Sequence, residues 1–539
     1  MQLDAKLVDA RITTLDEERP TATTMGIVHG RILGFDEDIA DLPARTVIDA
    51  GGAAAVPGFF DAHCHTAWFG LTLAALDLTR LPGGLPEVYR RIEEHAAGLG
   101  PSEWVNATGY AHRDYDDQYP DIEILDRISG GRPLFIRQTS GHAAIVNTEA
   151  LRRAGVLEPG FEDPDGGRIV RDAAGRPTGL VEETAQELIQ QLIRPYAKDE
   201  MVAAIERATR HYAGEGITSF TDAGIAAGWI GHTPVELAAY QQAADSGRLH
   251  ARAELMPSID ALHPVTAHAD DGITSGLDLG LRTGLGDDMV RIGPVKVFMD
   301  GALSGETAAL TSNYTGRDHA GYLQAPREEL RRKVLEAAAA DWSLALHAIG
   351  DLAIDEAISI IAEAQRRYGR RDRPHRIEHA AVVRPEQLAL LAREGIAVTP
   401  QAAFFESIGD GMAACLGPDR VPWLYRGRSF LQAGVLLAGS SDRPCAEGNP
   451  LRGMQAYAER LTRSGAVLAA DEALTAEEAL RAYTIGSATA AGQQADKGTL
   501  TAGKLADFVL LSEAPMDVAP DEIAGLEVLG TARGGQLYG

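Results

Sequence analysis

The chain has 539 residues, 45% hydrophobic and 24% charged, an ordinary globular balance with room for more than one domain. A formal net charge of -27 argues against a nucleic-acid-binding surface, and no apolar run approaches the ~20 residues that span a bilayer. Three cysteines (Cys64, Cys415, Cys445) cannot build a disulfide framework and fit a reducing compartment. The N-terminal MQLDAKLVDARITTLDEERP carries acids early, so it reads as no signal peptide, and the expected location is cytoplasmic.

Residues 1–55 contain short alternating runs, KLVDARITTL and TMGIVHGRILGFD, with turn residues between them, the texture of hairpins. The last segment, 492–539, repeats that texture in GTLTAGKLADFVLLS and LEVLGTARGGQLYG. The two ends are therefore expected to form one composite β-sandwich domain, with residues 56–491 inserted between them. Inside the insertion, apolar strands alternate with amphipathic helices, the pattern of an α/β fold with a parallel sheet. Strands are expected at 59–63, 216–224, 252–259, 292–301, 343–351, 375–383, 395–401 and 435–444, and helices at 327–342, 355–369 and 385–395. Eight such units predict a (β/α)8 TIM-like barrel with its site at the C-terminal strand ends. The gap after the first strand is too long for one crossover, so about 70–210 is expected as an inserted subdomain, with a helix near LPEVYRRIEEHAAGL and a hairpin in GGRIVRDAAGRPTGLV (166–181).

The chemistry is concentrated at those strand ends. His63 and His65 are two apart in VPGFFDAHCH, so their side chains share one strand face and suit a divalent metal. Lys296 lies in PVKVF, His347 in LALHAIGD, His379 in HRIEHA and Asp442 in GSSDRP. Each has a plain structural explanation: a core histidine at 347, a turn cap at 442, an ion pair of Lys296 with Asp300 or Glu306. His379 has Glu378 beside it, although alternation puts those two on opposite faces. Singly these explanations win; for the whole set on five strands they do not. A buried lysine is costly as a cation. As a neutral amine it reacts with carbon dioxide to give a carbamate, an anionic ligand able to bridge two metals.

The motifs PGFFDAHCH (57–65), KVFMDGALSGETAAL (296–310), LHAIGD (346–351), HRIEHA (375–380), GSSDRP (439–444) and GTLTAGKLADFVLL (498–511) resemble the amidohydrolase superfamily, in the branch containing N-substituted formamide deformylase-like hydrolases. SGHAAIVNTEAL (140–151) and GRPTGLVEE (175–183) resemble that branch too. The resemblance implies that His63 and His65 bind one metal, with Asp442 close to it. It implies that Lys296, as the carbamate, bridges to a second metal held by His347 and His379. Zinc is the expected ion, though iron or manganese suits the same ligands. It implies attack of a metal-activated hydroxide on an amide, N-formyl or N-acyl carbonyl, with Asp442 as proton shuttle. His142 is a candidate partner for the carbonyl oxygen, a structural role being the alternative. Trp68, Phe404 and Phe405 are candidates to wall a substrate pocket or to be core, and Phe404 is read as core. Deamination or cyclic-amide opening on the same fold is the second reading, and a non-catalytic binding or regulatory barrel the third. The expected partner is a small-molecule amide; neither nucleic acid nor membrane is expected, and a homodimer is the expected assembly from the prevalence of twofold symmetry.

Overall fold

The structure is a computed structural model that describes residues 1–101, 103–138, 143–164, 167–228 and 230–538. It has two compact units, one of Met1–Thr66 with Ile205–Gly539, the other of Ala67–Ala204.

In the first unit, parallel strands pair in succession. Phe59–Cys64 pairs with Ile217–Ile225, and that with Arg252–Pro257. A parallel bridge from Ser258 to Lys296 leads to Val295–Phe298, followed by Leu344–Ala348, Arg376–His379 and Ala397–Thr399. A further parallel bridge joins Val398 to Leu437, and the series returns to its start where Ala62 N donates to Gly439 O at 3.0 Å. Nearly every residue of these strands is buried, as expected of parallel strands covered on both faces by protein.

Two expected strands come out differently. The run 292–301 is broken into Val290–Ile292, which pairs with Arg252–Pro257, and Val295–Phe298. Pro294 has no N–H for the ladder and so interrupts it. The segment 435–444 forms a single bridge, at Leu437, rather than a strand, because its backbone donors divide between partners: Ala438 N goes to Val398 O, Gly439 N to Ala482 O.

The helices follow from apolar spacing. Asp351–Tyr368 buries Ala353, Ile354, Ala357, Ile358, Ile361 and Ala364, one stripe of a 3.6-residue period, and stops at Gly369 with φ +85°. Pro385–Glu394 starts on a proline and ends at the left-handed Gly395.

Both chain ends enter one six-stranded sheet, where Phe508–Leu511 runs antiparallel to Ala54–Pro57. A four-stranded sheet of Arg31–Phe35, Met25–Val28, Leu3–Val8 and Ala44–Asp49 shares a core with it through Leu7, Ile27, Phe35, Phe508 and Leu510. This assembly is tied to the parallel strands by a buried ion pair, Arg252 Nε to Asp507 Oδ2 at 2.7 Å and Nη2 to Oδ1 at 2.9 Å.

The second unit carries a six-stranded sheet in the order Gly167–Arg171, Pro177–Glu183, Ala143–Val146, Leu134–Gln138, Val105–Tyr110, Leu76–Asp77. The first two form an antiparallel hairpin, and helix Leu85–Ala97 packs Val88, Ile92 and Ala96 into the core of this unit. No helix among the described residues is long and apolar enough to cross a membrane.

Asp507→Ala is expected to lower stability by about 3–5 kcal/mol, because it leaves the Arg252 guanidinium buried and unpaired. Denaturant titration of the full chain checks it. The Asp507 carboxyl is pushed up by burial, but its pairing with Arg252 outweighs this and holds it below the ordinary value. Its contribution is therefore complete above the unfolded value of about 3.9 and fades as pH falls through the lower folded one.

Candidate metal centre

The strand ends bring His63, His65, Lys296, His347, His379 and Asp442 together. Asp442 Oδ1 lies 3.0 Å from His65 Nε2 and 3.3 Å from His63 Nε2. Lys296 Nζ is 3.4 Å from His63 Nε2. The His379 ring sits 4.8 Å from that of His63 and 4.5 Å from that of His347, centre to centre. All six are buried, with His347 the most exposed at 8%.

Backbone bonds set these positions. Asp61 Oδ1 accepts from the N–H groups of His63 and Ser441, both at 3.1 Å, coupling the first strand to the loop that carries Asp442. Asp442 N donates to His63 O at 2.7 Å, and His65 N to Arg443 O at 2.8 Å. His379 and Asp442 both take left-handed backbone, φ +69° and +57°. For non-glycine residues that conformation is strained and is retained where surroundings demand a particular side-chain aim. Behind Asp442, Arg443 is buried, pairs with Glu215 at 2.7 Å and lies 5.1 Å from the Tyr212 ring centre.

The ring nitrogens are individually supported. His379 Nδ1 meets Gln401 Oε1 at 2.7 Å, and Gln401 is itself oriented by its amide, which donates to Thr399 O and Ser440 Oγ. His347 Nε2 donates to Gly301 O at 3.0 Å, while its buried Nδ1 has no hydrogen-bond partner among the described residues. His63 Nδ1 meets Glu378 Oε2. Asp300 accepts from the N–H groups of Ala309, Ile349 and Gly350 and so ties the loop after Lys296 to the end of the His347 strand.

Burial lowers the basicity of the imidazoles, to about 4 at His65, about 3 at His379 and well below the ordinary value at His347. Burial also brings the Lys296 amine down to about 8. Burial alone would raise the Asp442 carboxyl, but the adjoining His63 and His65 imidazoles outweigh it and keep it well below the usual range. Neutral imidazoles, an ionised carboxylate and an amine that loses its proton readily are the donor set a divalent cation takes. His63, His65 and Asp442 each offer a ligand atom within 4.8 Å of the others. The buried Nδ1 of His347, without a hydrogen-bond partner among the described residues, is a further donor. The residues fit a metal.

The other residues singled out from sequence lie differently. His142 is outside the described residues. Trp68, in the second unit, is partly buried with the Arg137 guanidinium 5.4 Å from its ring centre. Phe405 has no exposed surface and packs against Tyr425 and the Arg460 guanidinium. Phe404 is buried too, beside Tyr425. Lys296 does not take either structural partner: Glu306 pairs with Arg317 at 2.8 Å, and Asp300 is occupied by backbone. Sequence reasoning missed Arg376, Glu378, Gln401 and Phe298. Two charges two apart in an apolar strand, Arg376 and Glu378, were a readable sign of an inward pair. Phe298 stands 4.8 Å from His347 and 4.9 Å from Lys296 Nζ, and is half-buried.

Against known proteins, the Amidohydrolase family profile matches residues 46–538. N-substituted formamide deformylase of Arthrobacter pascens is 30% identical, over 99% of this chain and 98% of its own. An uncharacterized metal-dependent hydrolase from Pyrococcus horikoshii OT3 superposes with a TM-score of 0.78 at 25% identity, covering 96% of this chain and 99% of that one. Atrazine chlorohydrolase TrzN from Arthrobacter aurescens TC1, solved complexed with zinc, gives a TM-score of 0.52 at 16% identity over 99% and 94% of the two chains, a likeness of fold alone. The fold is of the TIM-barrel α/β type and the class is that of metal-dependent hydrolases acting on C–N bonds. The chain belongs to the amidohydrolase family.

Gly448→Ala is expected to lower stability by about 1–3 kcal/mol through overpacking. A Cβ there would stand 1.8 Å from Arg443 Nε and push the guanidinium that backs Asp442. A loss of turnover should accompany the fall in unfolding midpoint.

Proposed function

We propose that the protein hydrolyses the C–N bond of a small amide, an N-formyl or N-acyl amine, with Asp442 as the proton shuttle. The observation that carries this reading is the convergence of six polar side chains from four strands and the 435–444 loop into hydrogen-bond or ring contact. In this reading His63, His65 and Asp442 hold one ion. Lys296 holds a second with His347 and His379, and zinc is the ion. A bound divalent ion supplies Lewis acidity, lowering the pKa of water from 15.7 to about 7 and polarising a carbonyl.

The chain's own groups do the rest. A neutral Lys296 amine forms an N–C bond to carbon dioxide and releases one proton, leaving an anionic carbamate between the two ligand groups. Asp442, ionised and anchored by two imidazoles, takes the proton from the attacking water and returns it to the leaving nitrogen. The strained backbone at 442 fixes the carboxylate against the imidazoles, so little reorganisation accompanies the transfer. His142 is kept as the partner of the carbonyl oxygen and Trp68 as a pocket wall, on sequence grounds. The proposal extends to the frame: a (β/α)8 barrel over 56–491 with an insertion at about 70–210, and a composite β-sandwich of 1–55 with 492–539. It also includes a cytoplasmic homodimer, on the cysteine usage and the prevalence of twofold symmetry.

The test is metal analysis followed by a panel of N-formyl, N-acetyl and cyclic amides, assayed with zinc and bicarbonate supplied. At least one zinc per chain and turnover of acyclic amides are expected. Turnover confined to cyclic amides or amino-heterocycles would replace the reading with ring opening or deamination. Less than one zinc per chain after mild purification would favour a non-catalytic barrel. Asp442→Asn is expected to keep most of the metal and to lose turnover by about 10²–10⁴-fold. His63→Ala should lose metal as well, which elemental analysis reads directly.

A further inference from the structure

Beneath His63 lies a charged pair that the proposed reaction does not use. Arg376 and Glu378 are both fully buried and stand two apart on the strand Arg376–His379, so both point inward. Glu378 Oε2 meets His63 Nδ1 and accepts from Thr399 Oγ1 at 3.1 Å. Arg376 grips the same carboxylate at both oxygens, Nε to Oε1 at 2.5 Å and Nη2 to Oε2 at 2.9 Å. Its Nη2 also donates to the carbonyl of Ala62, the residue before His63, at 2.5 Å. One guanidinium thus holds both the acceptor of the His63 ring and the backbone that carries the ring.

Resting on the metal-hydrolase reading, we propose that Arg376 and Glu378 are a positioning pair that fixes His63 as a metal ligand through Nε2. An ionised carboxylate only accepts, so the ring must carry its proton on Nδ1. That leaves the lone pair on Nε2, the atom beside Asp442 Oδ1 and Lys296 Nζ. A charged acceptor on the far nitrogen also raises the ligand's basicity and locks its orientation. Glu378 can stay ionised in the protein interior because Arg376 neutralises it there.

The discriminating experiment uses the full chain as wild type, Glu378→Gln and the double variant Arg376→Met/Glu378→Met. Zinc affinity is measured by chelator competition, the cobalt-substituted proteins are compared by absorption, and the metal-free forms are melted. Both variants are expected to bind zinc ten- to a hundredfold more weakly, about the usual effect of removing such a partner, with an altered cobalt spectrum. The metal-free double variant should melt no lower than wild type, since removing both charges strands neither. Wild-type zinc affinity in the variants overturns the pair's role. So does a loss of affinity that merely follows a lower melting temperature, which would mark a purely structural ion pair. If the double variant does not fold, Glu378→Gln decides, because it keeps the size and one acceptor oxygen while removing the charge and exchanging the other oxygen for an amide donor. A wild type that binds no zinc overturns the functional reading, and the pair's role falls with it; the two failures are thereby told apart.

Discussion

Charge buried away from water must be matched by other charge, and the rim of this protein is organised by that requirement. Lys296, Asp442, Glu378 and Arg376 are all nearly inaccessible. None is tolerable alone, since each would lose its hydration without compensation. Asp442 stands between two imidazoles, Glu378 between a guanidinium and an imidazole, and burial lowers the basicity of His65 and His379. His63 is the shared member, touching Glu378 on one nitrogen and facing Asp442 and Lys296 with the other. The result is a layered site in which every polar group limits the freedom of the next.

The frame supplies the rigidity this needs. Parallel strands end at one rim, where His63, His347 and His379 are the last or nearly the last in their strands and Lys296 lies two residues before the end of its own. At His379 and Asp442 the backbone leaves ordinary extended geometry, so strain is concentrated where aim matters. Asp61 and Asp300 do related work with backbone N–H groups. The first couples the strand of His63 to the loop of Asp442, and the second couples the loop after Lys296 to the strand of His347. Away from the rim, the Arg252–Asp507 pair joins the parallel strands to the sheet that both chain ends build.

Much of the frame was legible because its signals are local. Apolar runs of five to nine residues mark FFDAHC and ITSFTDAGI as buried strands, and the 3.6-residue stripe marks Asp351–Tyr368 as a helix. The histidines at 63 and 65 declare a shared face by spacing alone. Reading failed where a local rule was broken by a neighbour. Pro294 divides one strand, and the 435–444 segment divides its hydrogen bonds between two partners. Alternation placed Glu378 opposite His379, yet both reach His63, because the positive φ at 379 turns that side chain back toward the interior.

The sequence by itself determined which residue types stand at the strand ends, and so the chemistry available: imidazoles, one lysine and one carboxylate, carried by motifs that place the chain in its family. Only the tertiary structure decided their relations. Whether Asp442 is ionised, which nitrogen of each ring is engaged, and that Phe405 packs on Arg460 while Glu378 and Gln401 meet the rings of His63 and His379 all depend on contacts between residues up to several hundred positions apart. Spacing along a chain reports which face a side chain takes; desolvation and pairing, which set charge and aim, exist only once distant segments close around it.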